Sequence, residues 1–160
     1  MISGKAWVFG NDIDTDQIIP SQYLLLPAIE EMKKYAFETL MPDFPKEVNK
    51  GDIIVAGENF GCGSSREQAP RILKELGVSA IIAKSFARIF YRNAINIGLP
   101  AVVCNIENVK KGDEIHVDIN KGFVKVGGKE YSATKFPEHL MRILDAGGMI
   151  EYINKGGTRG

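Results

Sequence analysis

Two cysteines and two histidines are all the thiol and imidazole ligands that 160 residues contain. Cys62 and Cys104 are far apart in sequence, and His116 and His139 sit near neither, so the short local spacings of a structural zinc site are missing. Two cysteines make no disulfide framework, and they are too few to hold a cubane iron-sulfur cluster from this chain alone. An excess of one charge is also missing. Lys plus Arg and Asp plus Glu number 20 each and are spread along the chain, which leaves no basic block to track a nucleic-acid backbone. Apolar runs fall far short of the about 20 residues of a membrane span, and the first residues lack a basic segment followed by an apolar core and a cleavage site. The expectation is a cytoplasmic protein with no nucleic acid and no membrane among its partners. This length suits one domain, residues 1–160, able to bury roughly two thirds of its unfolded surface, with a tail frayed from about residue 155.

Glycine, serine and arginine are present where they matter most. Residues 57–71, Gly-Glu-Asn-Phe-Gly-Cys-Gly-Ser-Ser-Arg-Glu-Gln-Ala-Pro-Arg, follow the apolar run Ile53-Ile54-Val55-Ala56 and lead into a helical stretch. Ser64 with Glu67, and Ser65 with Gln68, both have capping-box spacing, which predicts a helix start there. Unpaired N–H groups and the helix dipole at such a start favour a bound carboxylate or phosphate. The dinucleotide fingerprint would need glycine where Arg66 stands, and the P-loop would need Gly-Lys-Ser/Thr, so neither nucleotide motif fits. Two hydroxyls and a forked guanidinium point instead to a small carboxylic acid.

The surrounding pattern predicts a strand at 5–9, a polar loop at 10–22, and helical spacing over 30–40 that ends at Met41-Pro42-Asp43-Phe44-Pro45. Strands at 53–56, 79–83 and 101–104 then alternate with helices at 66–76 and 86–97. That order calls for a parallel sheet with flanking helices. After Lys110 the period shortens to alternating runs at 114–119, 123–126 and 130–133, read as β-hairpins, before a last helix at 137–146. The two halves are too short to be separate domains.

Residues Asn59 to Pro70 closely resemble the signature of the aconitase-family swivel domain, in particular that of the 3-isopropylmalate dehydratase small subunits. Asn11-Asp12-Ile13-Asp14-Thr15-Asp16-Gln17-Ile18-Ile19-Pro20 is similar to the family's N-terminal motif, Lys84 to Phe90 to its second helix start, and Leu144 to Gly148 to its closing segment. The resemblance covers essentially the whole chain. It implies a swivelling β/β/α domain of α/β class. It also implies a hydro-lyase subunit that isomerises 2- and 3-isopropylmalate by dehydration and rehydration in leucine biosynthesis. The cofactor implied is a four-iron four-sulfur cluster on a large partner subunit, with none bound by this chain.

Site residues follow from the same resemblance. Ser64 matches the family serine that removes the carbon-bound proton; the alternative reading is that it merely caps a helix. Ser65 and Arg66 match the residues that bind substrate carboxylate, with Gly63 beside them for backbone reasons. Thr15 and Asp16 belong either to the site or subunit contact or to an ordinary solvated turn. Gln68 stands where many family members carry His. Cys62 is expected to serve packing, Ser85 to cap the second helix, Arg88 to pair with an acid, and both histidines to be structural. Leu24, Leu25 and Leu26 match the loop that senses the variable end of the substrate, with Leu25 where tricarboxylate-specific members carry Arg; the other reading puts them in the domain's own core. A homoaconitase-type or dimethylmalate-type small subunit, and a stand-alone carboxylate-binding module, are the alternative functions.

Overall fold

Strand formation begins with the runs that carry no polar residue. In the computed structural model, which describes residues 1–157, the chain runs β1 (Ile2–Val8), α1 (Thr15–Ile18), a 3-10 turn (Ser21–Leu25) and α2 (Ile29–Met32). A second 3-10 turn (Lys33–Tyr35), α3 (Phe44–Glu47), β2 (Ile53–Ala56), α4 (Gln68–Glu75), β3 (Ala80–Ala83) and α5 (Arg88–Asn96) follow. The chain ends with β4 (Ala101–Val103), β5 (Glu114–Asp118), β6 (Phe123–Val126), β7 (Lys129–Ser132), α6 (Glu138–Ala146) and α7 (Met149–Asn154).

All described strands join one sheet in the order β4-β3-β2-β1-β5-β6-β7. β1 to β4 are parallel neighbours, and β5 to β7 are an antiparallel meander attached to β1. Strand β1 starts earlier than its apolar residues suggested because it is used twice. Its first half, Ile2 to Lys5, pairs with Val117 to Glu114, and its second half, Ala6 to Val8, pairs with Ile53 to Val55. The sheet curls until its two ends meet: Cys104 and Ala133 form an antiparallel bridge, and Thr134 N–H donates to the Val103 carbonyl at 2.9 Å.

Every residue of β2 and β3 is buried, as continuous apolar runs require when both faces of a strand are covered. Alternate side chains go to two cores. Ile54, Ala56, Ile81 and Ala83 meet Phe9, Phe37, Phe44 and Ile72, whereas Ile53, Val55, Ala80 and Ile82 meet Val117, Val124, Phe136 and Ile143. The expected parallel-rich α/β sheet with helices and hairpins is therefore the architecture observed.

Local expectations needed correction where tertiary contacts outweighed propensity. The helical spacing over 30–40 does not give one helix: α2 tightens into a 3-10 turn, and Phe37 takes a left-handed φ of 56°. Its N–H donates to the Ile18 carbonyl at 3.1 Å, and its ring is fully buried with centroids 4.4 Å from Phe9 and 5.1 Å from Phe44. Burying a large apolar side chain contributes about 1.5–3 kcal/mol, more than the roughly 1–2 kcal/mol of one left-handed residue. The polar loop at 10–22 contains α1, capped by Asp14, with the Gln17 side chain accepting from the Asp14 N–H; that Asp-x-x-Gln spacing was readable as a capping box. The presumed frayed tail is bonded to α7 as far as it is described, through Lys155 N–H to Glu151, Gly156 N–H to Ile153 and Gly157 N–H to Tyr152 carbonyls. Its remainder lies outside the described residues.

The junction of β1 and β2 depends on a buried carboxylate. Asp52 accepts from the Trp7 indole N–H and from the Asn49 N–H, both at 2.8 Å. Asp52→Ala is expected to lower the unfolding free energy by about 2–3 kcal/mol, because two buried donors lose a charged acceptor. Trp7→Phe in that background removes one orphaned donor and should recover part of the loss, as urea unfolding followed by circular dichroism will test.

Candidate active site

After β2 the chain does not enter a helix directly; residues 59–63 instead run between two other loops like an extra short strand. On one side Gly61 N–H donates to the Ile13 carbonyl at 2.7 Å and Thr15 N–H to the Cys62 carbonyl at 2.8 Å. On the other, Phe60 N–H donates to Ser85 at 3.1 Å and Ala87 N–H to Phe60 at 2.9 Å. The three sequence motifs thereby become one structure. Left-handed backbone concentrates here, at Asp12, Asn59, Gly61 and Gly63, with φ between 54° and 89°. The two non-glycine cases support each other, since the Asn59 amide donates to the Asp12 carboxylate at 3.1 Å. Both glycines are required by space as well as by φ. A Cβ on Gly61 would lie 2.2 Å from the Phe90 ring, and one on Gly63 would lie 2.5 Å from the Asp14 carboxylate.

Beside this lacing lies a cavity of about 270 Å³, lined by Thr15, Gly61, Gly63, Ser64, Ser65 and Arg66 and by Ala87 to Phe90 with Asn93. Thr15 is buried, and its hydroxyl donates to the Ser64 carbonyl at 2.7 Å. Arg66 reaches back through Nη1 to the Ile19 carbonyl at 2.8 Å and the Asp16 carboxylate at 3.2 Å. These bonds draw residues 64–66 out of helical register, so α4 begins only at Gln68, with no side-chain cap. Neither expected capping box forms. The hydroxyls of Ser64 and Ser65 are left exposed at the cavity, and the Arg66 side chain is mostly buried at its edge.

Five of the residues singled out in the sequence thus share one cavity: Gly63, Ser64, Ser65, Arg66 and Thr15. Asp16 adjoins it through Arg66, and the same carboxylate oxygen accepts from the Ser21 N–H at 3.2 Å, at the first residue of the leucine turn. The leucines do not line the cavity. Leu24 and Leu26 pack against the phenylalanine core, whereas Leu25 is 90% exposed. Arg88, Ile89 and Asn93 are additional cavity residues, and the signal for them was the second strand-to-helix turn. Two expectations at that turn fail. Ser85 does not cap α5 because its hydroxyl oxygen accepts from the Asn59 N–H at 2.8 Å, and Arg88 makes no ion pair among the described residues. A larger hollow of about 650 Å³ between α4, α5 and α7 borders the site at Asn93 and is lined by charges of both signs.

Neither thiol suits a metal. Burial, and after it the carboxylates of Asp14 and Asp12, push the Cys62 thiol up from its ordinary range, and burial takes Cys104 up to about 11. Among the described residues no three His, Cys, Asp or Glu side chains come together as ligands. The alternating aspartates are engaged separately, Asp12 by Asn59, Asp14 by α1 and Asp16 by Arg66. His116 accepts or donates at Nδ1 with the Ser3 hydroxyl at 2.7 Å, within the β1–β5 pair. Because a raised pKa depletes thiolate at neutral pH, Cys62 should alkylate with iodoacetamide more slowly than a free thiol at pH 7. Its rate should go on rising with pH beyond the point at which that of a free thiol levels off, as peptide-level mass spectrometry across pH would record.

Comparison with known proteins bears on the same residues. Positions 12–106 match the aconitase C-terminal domain family. A 3-isopropylmalate dehydratase small subunit from Methanopyrus kandleri is 52% identical, covering 99% of this chain and 96% of that protein. An isopropylmalate/citramalate isomerase small subunit from Methanocaldococcus jannaschii is 50% identical, over 97% of this chain and 95% of its own. The crystal structure of a 3-isopropylmalate dehydratase (leuD) from that organism superposes with a TM-score of 0.92 at 45% identity, covering 97% and 94% of the two chains. The shared fold, the near-complete coverage and the glycine-serine-arginine loop place this chain in the aconitase C-terminal domain family, among the 3-isopropylmalate dehydratase small subunits.

Proposed function

We propose that the chain is the small subunit of a cytoplasmic hydro-lyase that interconverts 2- and 3-isopropylmalate in leucine biosynthesis, working only with a large partner subunit. The observation that carries this reading is the row Ser64, Ser65, Arg66, two exposed hydroxyls beside a mostly buried guanidinium at one cavity, held on a backbone lattice. The cofactor required is a four-iron four-sulfur cluster on the partner, which activates the substrate hydroxyl as a Lewis acid.

This chain's residues have separate roles. Ser64 removes the carbon-bound proton, and a hydroxyl does so only if its alkoxide is stabilised. The α4 dipole acts from Gln68, about a turn away, and such effects fade within a turn. Arg66 is therefore the main stabiliser supplied by this chain, and with Ser65 it binds a substrate carboxylate; exclusion of water awaits closure by the partner. Thr15 fixes the Ser64 backbone, and Asp16 orients Arg66. Ser64→Ala should assemble with the large subunit as wild type does yet lose turnover by several orders of magnitude. Near-normal turnover in that variant would overturn the base assignment.

Selection of the acid rests on the leucine turn. Leu24 and Leu26 hold the turn on the core, leaving Leu25 to face the variable substituent. An isopropyl group buried against it gains about 2 kcal/mol, whereas an unpaired carboxylate there costs several. Leu25→Arg should therefore shift the ratio of kcat/KM toward citrate- and homocitrate-type acids by about tenfold or more. The same assays with the large subunit, and ligand titration without it, separate a hydro-lyase from a stand-alone carboxylate-binding module.

A further inference from the structure

We propose that Arg88 is a second carboxylate-binding residue of this site, holding one end of the dicarboxylic hydroxy acid while Arg66 holds the other. The proposal rests on the reading of the preceding subsection and concerns a residue that reading leaves idle.

Its position is fixed relative to Ser64 by backbone bonds. Phe60 and Phe86 form a parallel bridge, Ala87 N–H donates to the Phe60 carbonyl at 2.9 Å, and Asn59 N–H donates to the Ser85 hydroxyl at 2.8 Å. Arg88 is the next residue and the first of α5, so its Cα belongs to the same rigid lattice as the glycine loop. Arg88 lines the same cavity as Ser64, Ser65 and Arg66, together with Ile89 and Asn93 of its own helix.

Charge balance then assigns its task. The described lining of the cavity holds two guanidinium groups, three hydroxyls, one carboxamide and no carboxylate. One of the two cations is already matched, because Asp16 lies 3.2 Å from Arg66. A substrate with two carboxylates brings two negative charges to a wall where the Arg66–Asp16 pair sums to zero. Arg88 is the unmatched cation: no described carboxylate pairs with it. A carboxylate taken out of water without a counter-charge is costly, and a planar guanidinium can take both of its oxygens. The competing role is an ion pair with an acidic side chain of the large subunit.

The test uses the complex assembled with the large subunit. Wild type, Arg88→Ala and Arg88→Lys are assayed on 2-isopropylmalate and on its two monoamides, each lacking one charge, while subunit affinity is followed by analytical ultracentrifugation. The expected result for Arg88→Ala is a rise in KM for the diacid of about 10- to 100-fold, the scale of a lost charge-assisted hydrogen bond, with kcat changed only a few-fold. One monoamide should be insensitive to the substitution and the other as sensitive as the diacid, Arg66→Ala should show the reverse pattern, and Arg88→Lys should recover part of the loss. An unchanged KM in an active complex overturns the role of Arg88 alone. So does weaker subunit affinity with the diacid and both monoamides affected equally, which identifies a subunit contact instead. Absence of turnover of any malate-type acid by the wild-type complex overturns the functional reading itself, and this proposal with it.

Discussion

Four backbone hydrogen bonds, two on each side of residues 60–62, hold the site together. The glycine loop is neither a free turn nor a helix cap; it is a strand-like segment between residues 13–15 and 85–87. Each such bond contributes only about 1 kcal/mol net, but together they determine where four unusual backbone conformations can persist. Without them Gly61 could not lie against the Phe90 ring, nor Gly63 over the Asp14 carboxylate. The exposed serines and the half-sequestered arginine are consequences of that lattice. The proposed site therefore depends on residues with no chemistry of their own, such as Ile13, Phe60 and Ala87.

The site is one-sided by construction. Its serine hydroxyls face solvent, its helix begins too late for its dipole to act at close range, and burial pushes both thiols up from their ordinary range. On the proposed reading, such a wall gains low dielectric and a Lewis acid only when a partner covers it. The larger hollow beside it, bordered by α4, α5 and α7 and meeting the site at Asn93, extends the same surface. The curled sheet behind serves as a stiff support: β2 and β3 are buried on both faces, and the loops that carry Ser64 and Arg88 both leave from the same ends of these adjacent parallel strands.

Much of the fold was legible because the physical signals were local. The runs at 53–56 and 80–83 have no polar residue and so had to be strands covered on both faces. The glycine pairs at 127–128 and 147–148 ended their elements, and the alternation after Lys110 gave the meander. Misreadings arose where distant contacts overrode a local signal. The 30–40 segment has helical spacing, but Phe37 gains more from the Phe9–Phe44 cluster than the helix would keep. The serine capping boxes are plausible in isolation, yet Thr15 and Ile19, some 50 residues earlier, claim Ser64 and Arg66. Ser85 is taken from its helix by Asn59 in the same way.

The residue types pointed to the class of chemistry. On the proposed reading, a glycine-rich loop with two serines and an arginine, no lysine of a phosphate loop and too few thiolates for a cluster suit a carboxylate-binding wall completed by a partner. Which groups meet was decided by the tertiary structure alone. Arg66 reaches Asp16, and Asp16 reaches the first residue of the leucine turn; Leu25 turns outward while Leu24 and Leu26 pack inward; Arg88 shares the cavity of the serines and makes no ion pair among the described residues. Those pairings span up to 50 residues of sequence and depend on sheet order, register and curl. Local sequence spacing encodes none of these, because they arise only when both faces of a shared sheet are packed at once.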